Sequence, residues 1–287
     1  MPIRITRRRA ILSAAAAVGA TWFNVPRIFA NLPAELRGKY GGFPLGLQSY
    51  SLRHFDTHGC LDRMQMLGLH YVEFFRNHYP PTTDSAKIRE MNEMLEEHQA
   101  VISAHGVQAF TADHAKNKEF FEFARMAGIK IVTADFGPDA HDSLGKLVKE
   151  YDIRIAAHNH GPGHRWDKIA DLEKQIQGLD PRIGACADLG HFIRSGEDPV
   201  KAIRAFKGRL YGIHLKDFKE PRKDAKGCVL GEGVMDVPAV FKALKEVNFP
   251  ADGALSIEYE EKPQDPMDDL RKCVEVAAAA AEKVARG

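Results

Sequence analysis

The segment IRIAAHNHGPGH, residues 153–164, places two imidazoles two positions apart. Its apolar lead-in, Ile153, Ile155 and Ala156, reads as a short buried strand that breaks at Gly161-Pro162-Gly163, so His158, Asn159 and His160 fall where strand becomes loop. Side chains alternate along a strand, which points His158 and His160 the same way. Imidazole is a common metal ligand and a titrant near neutrality, so the pair suits a divalent-metal site or an acid/base site. A lone histidine on a strand is more often structural, and partners from other strands must decide between these readings.

The rest of the chain supplies such strands. Short apolar runs recur at residues 45–52, 70–75, 100–107, 129–136, 153–160, 183–189, 210–216 and 254–259. Most are rich in β-branched residues and end in polar residues or glycine. Between them, residues 87–98, 118–127, 167–177 and 237–247 carry apolar side chains at helical spacing, and Asp84-Ser85 and Asp236-Val237-Pro238 read as helix starts. Eight strands alternating with helices predict a single-domain α/β fold, a (β/α)₈ TIM barrel over residues 45–287, with a doubly wound sheet as the alternative. Residues 267–286 read as a closing helix.

In a barrel the C-terminal ends of the strands converge on one mouth. There the fifth strand would offer His158 and His160, the sixth Asp188 with His191, the seventh His214 and Lys216, and the eighth Glu258 and Glu260. The second offers Glu73, the third His105 and the fourth Asp135. His158, Asp188, His214 and Glu258, from four consecutive strands, could enclose one divalent ion, with Mn, Mg, Co and Zn all suited to mixed N/O ligands. His160, Glu73 and His191 are then candidates for the base, and Lys216 for steadying a developing oxyanion. Each residue also has a plainer reading: Asp188 as a cap, His214 as a satisfied core histidine, Glu258 as a partner of Lys216, Glu73 at a solvent edge. Their coincidence on adjacent strands argues for the site, because buried ionisable groups are costly unless paired or ligating.

Residues 1–30 stand apart. Arg4, Arg7, Arg8 and Arg9 precede an apolar run from Ala10 to Ala20, and Ile28-Phe29-Ala30 offers a cleavage site, the order of an export signal. Residues 6–12, TRRRAIL, resemble a twin-arginine signal, which implies recognition by that export machinery and a periplasmic location. The uninterrupted run is shorter than the ~20 residues of a membrane span. Residues 31–44, rich in glycine and proline, read as a linker. Removing the five arginines of residues 1–30 takes the net charge from +1 to −4, which leaves no basic surplus for gripping nucleic acid. The four cysteines, 60, 186, 228 and 273, form no CxxC pair and fit neither a disulfide framework nor a zinc ribbon, although export leaves room for one bridge. A homo-oligomer is compatible with the sequence, which does not specify one.

Residues 186–191 (CADLGH), 212–218 (GIHLKDF), 231–233 (GEG) and 255–260 (LSIEYE) resemble the xylose-isomerase-like TIM-barrel superfamily of sugar isomerases, epimerases and inosose dehydratases. The resemblance runs from about Leu45 to the C-terminus. It implies a small-molecule sugar substrate and metal ligands at Asp188, His214 and Glu258, with His191 touching metal or substrate. The family's fifth-strand Glu is replaced by His158, which removes one of the two carboxylates that act as acid and base in ketose 3-epimerases. The expected function is therefore a metal-dependent isomerase or epimerase acting by proton abstraction next to a carbonyl, through an enediolate. The alternatives are a lyase that eliminates a β-oxygen from a keto-sugar such as a 3-keto-glycoside, and a non-catalytic periplasmic sugar- or metal-binding protein. The related apurinic endonucleases need an Asp-x-His pair after the seventh strand, and residues 217–231 contain no histidine. GEG is too short to mark a phosphate loop and is expected to shape the mouth. Intact-mass spectrometry of the exported protein should find a chain starting near residue 31; an intact Met1 in the soluble cell fraction would refute the signal.

Overall fold

The computed structural model describes residues 32–287; the expected export signal lies outside the described residues. The eight apolar runs become eight parallel strands: β1 (Leu45–Gln48), β2 (Tyr71–Phe74), β3 (Val101–Phe110), β4 (Ile131–Phe136), β5 (Arg154–His158), β6 (Ile183–Asp188), β7 (Leu210–Leu215) and β10 (Ala254–Ile257). A small antiparallel hairpin, β8 (Asp217–Phe218) with β9 (Gly227–Cys228), intervenes before the last of them. Each barrel strand pairs with its neighbours in chain order, and β1 closes on β10 with Leu47 opposite Ile257. A closed ring has no edge strand, so the fold is a (β/α)₈ barrel and not an open doubly wound sheet.

The helices are α1 (Ala34–Gly38), α2 (Thr57–Met66), α3 (Ser85–Glu97), α4 (His114–Met126), α5 (His141–Tyr151), α6 (Ile169–Ile176), α7 (Leu189–Arg194), α8 (Pro199–Ala205), α9 (Val237–Glu246) and α10 (Met267–Arg286). Asp84 and Asp236 do start helices: their carboxylates accept from Ala86 N at 2.8 Å and Ala239 N at 3.0 Å, replacing bonds that a first turn cannot make internally. The first strand ends earlier than its apolar run suggests. Gln48 Oε1 accepts from Tyr50 N at 3.1 Å and turns residues 49–52 into a 3₁₀ helix. Within residues 32–44, Tyr40 is buried and donates its hydroxyl to Gly68 O at 2.8 Å, so this segment is anchored to the barrel.

The main core lies between sheet and helices, where Phe74, Phe121, Phe136, Phe192 and Phe241 are fully buried. A separate small cluster, Ala104, Ile131, Ala156, Cys186 and Ala254, comes from β3, β4, β5, β6 and β10 and leaves space for larger polar groups. All four cysteines are free and buried, so the bridge that export would permit does not form. Among the described residues, no helix is long and apolar enough to cross a membrane.

Two glycines let adjacent strands approach. A Cβ at Gly46 would lie 2.0 Å from Tyr71 O, and one at Gly184 2.1 Å from Arg209 O. Backbone cannot yield as a flexible side chain does, so Gly46→Ala should cost about 2–3 kcal/mol of stability. Urea denaturation with an unchanged slope and a lowered midpoint would report it.

Candidate active site

At the C-terminal ends of β5, β6, β7 and β10, four side chains converge. One ligand atom from each of His158, Asp188, His214 and Glu258 lies within 4.8 Å of the others, and all four residues are buried. His158 Nε2 is 3.0 Å from His214 Nδ1 and 3.7 Å from Asp188 Oδ2. His214 Nδ1 is 3.7 Å from Asp188 Oδ2 and 3.0 Å from Glu258 Oε2. Four ligands around one ion at ~2.1 Å would stand roughly 3.4 Å apart, a spacing these distances bracket.

The local sequence explains the aim of each group. Asp188 is the last residue of β6 and caps α7: its Oδ1 accepts from His191 N at 2.7 Å. The capping reading of Asp188 therefore holds, and its Oδ2 faces the site, where Lys216 Nζ lies 3.1 Å away. Asn159 fixes the same residue by donating to Asp188 O at 3.0 Å and accepting from Asp188 N at 2.8 Å.

Beneath His214 sits Glu73. Thr133 and Ser256 donate their hydroxyls to its two oxygens at 2.7 Å, and His214 Nε2 donates to both at 3.0 Å. A proton held on Nε2 leaves the Nδ1 lone pair facing Glu258, Asp188 and His158. His158 can donate through Nε2 to that lone pair at 3.0 Å, whereas the Asp188 and Glu258 carboxylates only accept; Asp188 Oδ2, Glu258 Oε2 and the other nitrogen of His158, Nδ1, are buried without a well-directed hydrogen bond. Such a set is neutralised either by protons or by a cation. Taken as protons, burial opposes charge on His214, but the Glu73 and Glu258 carboxylates outweigh it and hold its pKa well above the usual range. The donor set itself, two imidazoles and two carboxylates with the carboxylate–histidine support of Glu73, fits a divalent metal.

Lys216 adds the remaining positive charge. Its Nζ lies 3.1 Å from Asp188 Oδ2, 2.7 Å from Glu258 Oε2 and 2.6 Å from Glu260 Oε1. Burial works against its charge, yet Asp188, Glu258 and Glu260 raise its pKa well above the ordinary lysine value. In return, burial would raise Glu258 but Lys216 and His214 bring it down to about 2.

The expected bases fare differently. His160 lies beside His158, ring centroids 4.8 Å apart, and lines an open cavity of about 390 Å³ together with His158, His191, Lys216, Glu258 and Glu260. Burial lowers its pKa, helped by His164, which keeps the ring neutral. His191 is less free. Arg194, which can only donate, stands 2.8 Å from its Nδ1, so the proton sits on Nε2, 3.6 Å from Asp188 Oδ2. With its lone pair engaged and its pKa pushed by burial down to about 3, His191 faces the site as a donor. Glu73 is corrected outright: it is fully buried under His214, with both oxygens already accepting, and does not reach the cavity.

His105 does not reach the mouth either. Its Nε2 bonds Tyr79 O at 2.8 Å and its ring packs on Phe120 and Phe123, because it faces outward toward the helices. Asp135 is at the rim, paired with Arg165 and with His164 at 3.4 Å. The GEG loop wraps a carboxylate and holds no phosphate: Gly231 N and Gly233 N donate to Asp217 Oδ2 at 3.0 and 3.1 Å. Gln48, Tyr50, Phe75 and Arg76 also line the cavity. None of the four stands among the candidates of the sequence; their signal there is their place at the ends of the first two strands.

A family model described as a xylose isomerase-like TIM barrel matches residues 61–279. The chain belongs to that family. Among curated relatives, the inosose dehydratase of Clostridium tetani is 32% identical over 138 residues, covering 42% of this chain and 45% of its own. The chain therefore spans less than half the length of the curated relatives it matches. A solved structure of an uncharacterised protein from Parabacteroides distasonis has 28% identity and a TM-score of 0.64, over 82% of this chain and 97% of its own. The IolI protein, solved with a zinc atom, shares the fold at a TM-score of 0.68 and 16% identity, over 84% and 98%.

Removing the Glu73 carboxylate strands His214, Thr133 and Ser256 inside the barrel. Glu73→Ala should cost about 3–5 kcal/mol and Glu73→Gln markedly less, read from urea unfolding midpoints. Equal losses for the two variants would contradict this arrangement.

Proposed function

We propose that this chain is a divalent-metal-dependent enzyme that removes a proton from the carbon beside a carbonyl of a sugar or cyclitol. The observation that carries the reading is the convergence of His158, Asp188, His214 and Glu258 from four consecutive strands on one buried point at the floor of an open cavity. A divalent ion held by these four groups would polarise the carbonyl and offset the charge that develops when the carbon loses its proton. Zinc in a neighbour of the same fold makes it the first metal to supply.

His160 is the base in this proposal. It is neutral, stands at the edge of the cavity and, among the described residues, has no side chain bonded to its nitrogens that would withhold a lone pair. Lys216 keeps its proton and steadies negative charge on substrate oxygen. His191 donates through Nε2 to an oxygen at the same place. Glu73 is a positioning residue, acting through the tautomer of His214.

Isomerisation or epimerisation would follow if the proton returned to carbon. Elimination is the reading favoured here, for one observation: the mouth is asymmetric. Imidazoles His158, His160 and His191 line one side, and Lys216 with Glu258 and Glu260 the other. An epimerase with matched carboxylates on both faces of the substrate would need a second one where His158 stands. In elimination, the proton passes to His160, the C–H electron pair forms a carbon–carbon double bond, and the β C–O bond breaks with its pair on oxygen, which takes a proton from the His160 imidazolium or from water and departs as water or an alcohol. The dehydratase relatives support the same outcome. An exported location, through residues 1–30, belongs to this proposal and makes oxidised glycosides the first substrates to try.

Asp188→Ala and Glu258→Gln should each abolish both turnover and metal retention. His160→Gln should keep the metal and lose about 10²- to 10⁴-fold in kcat. Incubation of keto-glycosides and ketoses in D₂O separates the outcomes: elimination yields an unsaturated product, epimerisation returns deuterated sugar. Neither product with any substrate, in metal-loaded protein, would leave a binding protein instead.

A further inference from the structure

A second group of metal-binding side chains lies outside the mouth, between α2 and α3. His58 and Asp62 stand one helical turn apart on α2, and His98 is the C-cap of α3. His58 Nδ1 is 3.2 Å from Asp62 Oδ2, and His98 Nε2 is 3.1 Å from Asp62 Oδ1. The two imidazoles meet edge to face, with centroids 4.9 Å apart. One ligand atom from each of the three residues lies within 4.8 Å of the others.

The backbone dictates how His98 is protonated. Its Nδ1 lies 2.7 Å from Met94 O, and a carbonyl only accepts, so Nδ1 carries the hydrogen. The neutral ring then has a lone pair on Nε2, aimed at a carboxylate oxygen from a side chain only 4% exposed. Two acceptors at that distance repel, and the ring is too buried for water to intervene freely. Either a second proton or a cation must lie between them. A carbonyl-anchored Nδ1–H is also what orients a ligating imidazole. His58, 54% exposed, supplies the second imidazole and a route from solvent. Two imidazoles and a carboxylate suit zinc and its late first-row neighbours better than magnesium or calcium.

We propose that His58, Asp62 and His98 form a second divalent-metal site, separate from the barrel mouth, that takes zinc and ties α2 to α3. Three protein ligands leave the remaining coordination positions to water. His58 and Asp62 lie on the exposed face of their helix, away from the cavity that binds substrate in the proposed reaction.

The test is Zn²⁺ titrated into chelator-stripped full-length protein, with bound zinc counted after desalting. Wild type should hold two ions per chain, and His58→Gln and Asp62→Asn one each. Asp188→Asn should also hold one, and zinc should still raise its Tm; in the Asp62→Asn/Asp188→Asn double variant both effects should vanish. If His58→Gln and Asp62→Asn keep the wild-type zinc count, the proposal is overturned and His98–Asp62 is an imidazolium ion pair. The mouth is judged separately. A single wild-type ion that Asp62→Asn loses and Asp188→Asn keeps would sustain this site and sink the metal reading of the mouth. The reverse pattern would do the opposite.

Discussion

The contact between His214 and Glu73 governs the interior of this barrel. A carboxylate with no exposed surface is sustainable only if its charge is answered, and Glu73 is answered by an imidazole at 3.0 Å and two hydroxyls at 2.7 Å. The same bond fixes which nitrogen of His214 points up toward the mouth. Everything above it, from His158 to Lys216, is arranged around that one lone pair. Burying so many ionisable groups costs several kcal/mol for each one left unpaired. The network therefore persists because its members compensate one another, and a change at one is felt at all.

Room for it comes from small residues. Where many barrels fill their axis with branched aliphatic side chains, this one has Ala104, Ala156, Cys186 and Ala254 beside a single branched residue, Ile131, in its inner cluster, and glycines at 46, 184 and 212 let neighbouring chain approach closely. The apolar burial that stabilises the fold is displaced outward, to the phenylalanine-rich layer between strands and helices. Stability and chemistry thus occupy different layers, which frees the axis for polar groups.

The mouth above this axis is divided by charge. Imidazoles whose pKa values burial depresses stand on the β5 and β6 side, while Lys216 stands with Glu258 and Glu260 on the other and reaches across to Asp188 at the end of β6. A neutral imidazole, His160, facing a fixed ammonium gives the site a direction, which in the proposed reaction would take the proton on one side and steady the anion on the other. That direction is the physical content of the preference for elimination. It follows from one substitution of type, a histidine at position 158 where the resemblance leads one to expect a glutamate.

Much of this was legible in the chain. Periodicity alone determined the eight strands and their alternation with helices, because a strand buried on both faces must be apolar and must end at its turn residues; closure into a barrel, against an open doubly wound sheet, was decided by the pairing of β1 with β10. Asp188, His214, Lys216 and Glu258 could be read as a group because each closes such a run, and strand ends in a barrel share one mouth. Tertiary structure alone decided what the candidates do. Glu73 and His105 end their runs just as Asp188 does, yet one is sealed beneath a histidine and the other turns into an aromatic cluster. His191 lost its lone pair to Arg194, three residues on. Sequence spacing fixes where a side chain leaves the backbone; which neighbour claims its donor or acceptor depends on groups far along the chain, as Glu73 is from His214.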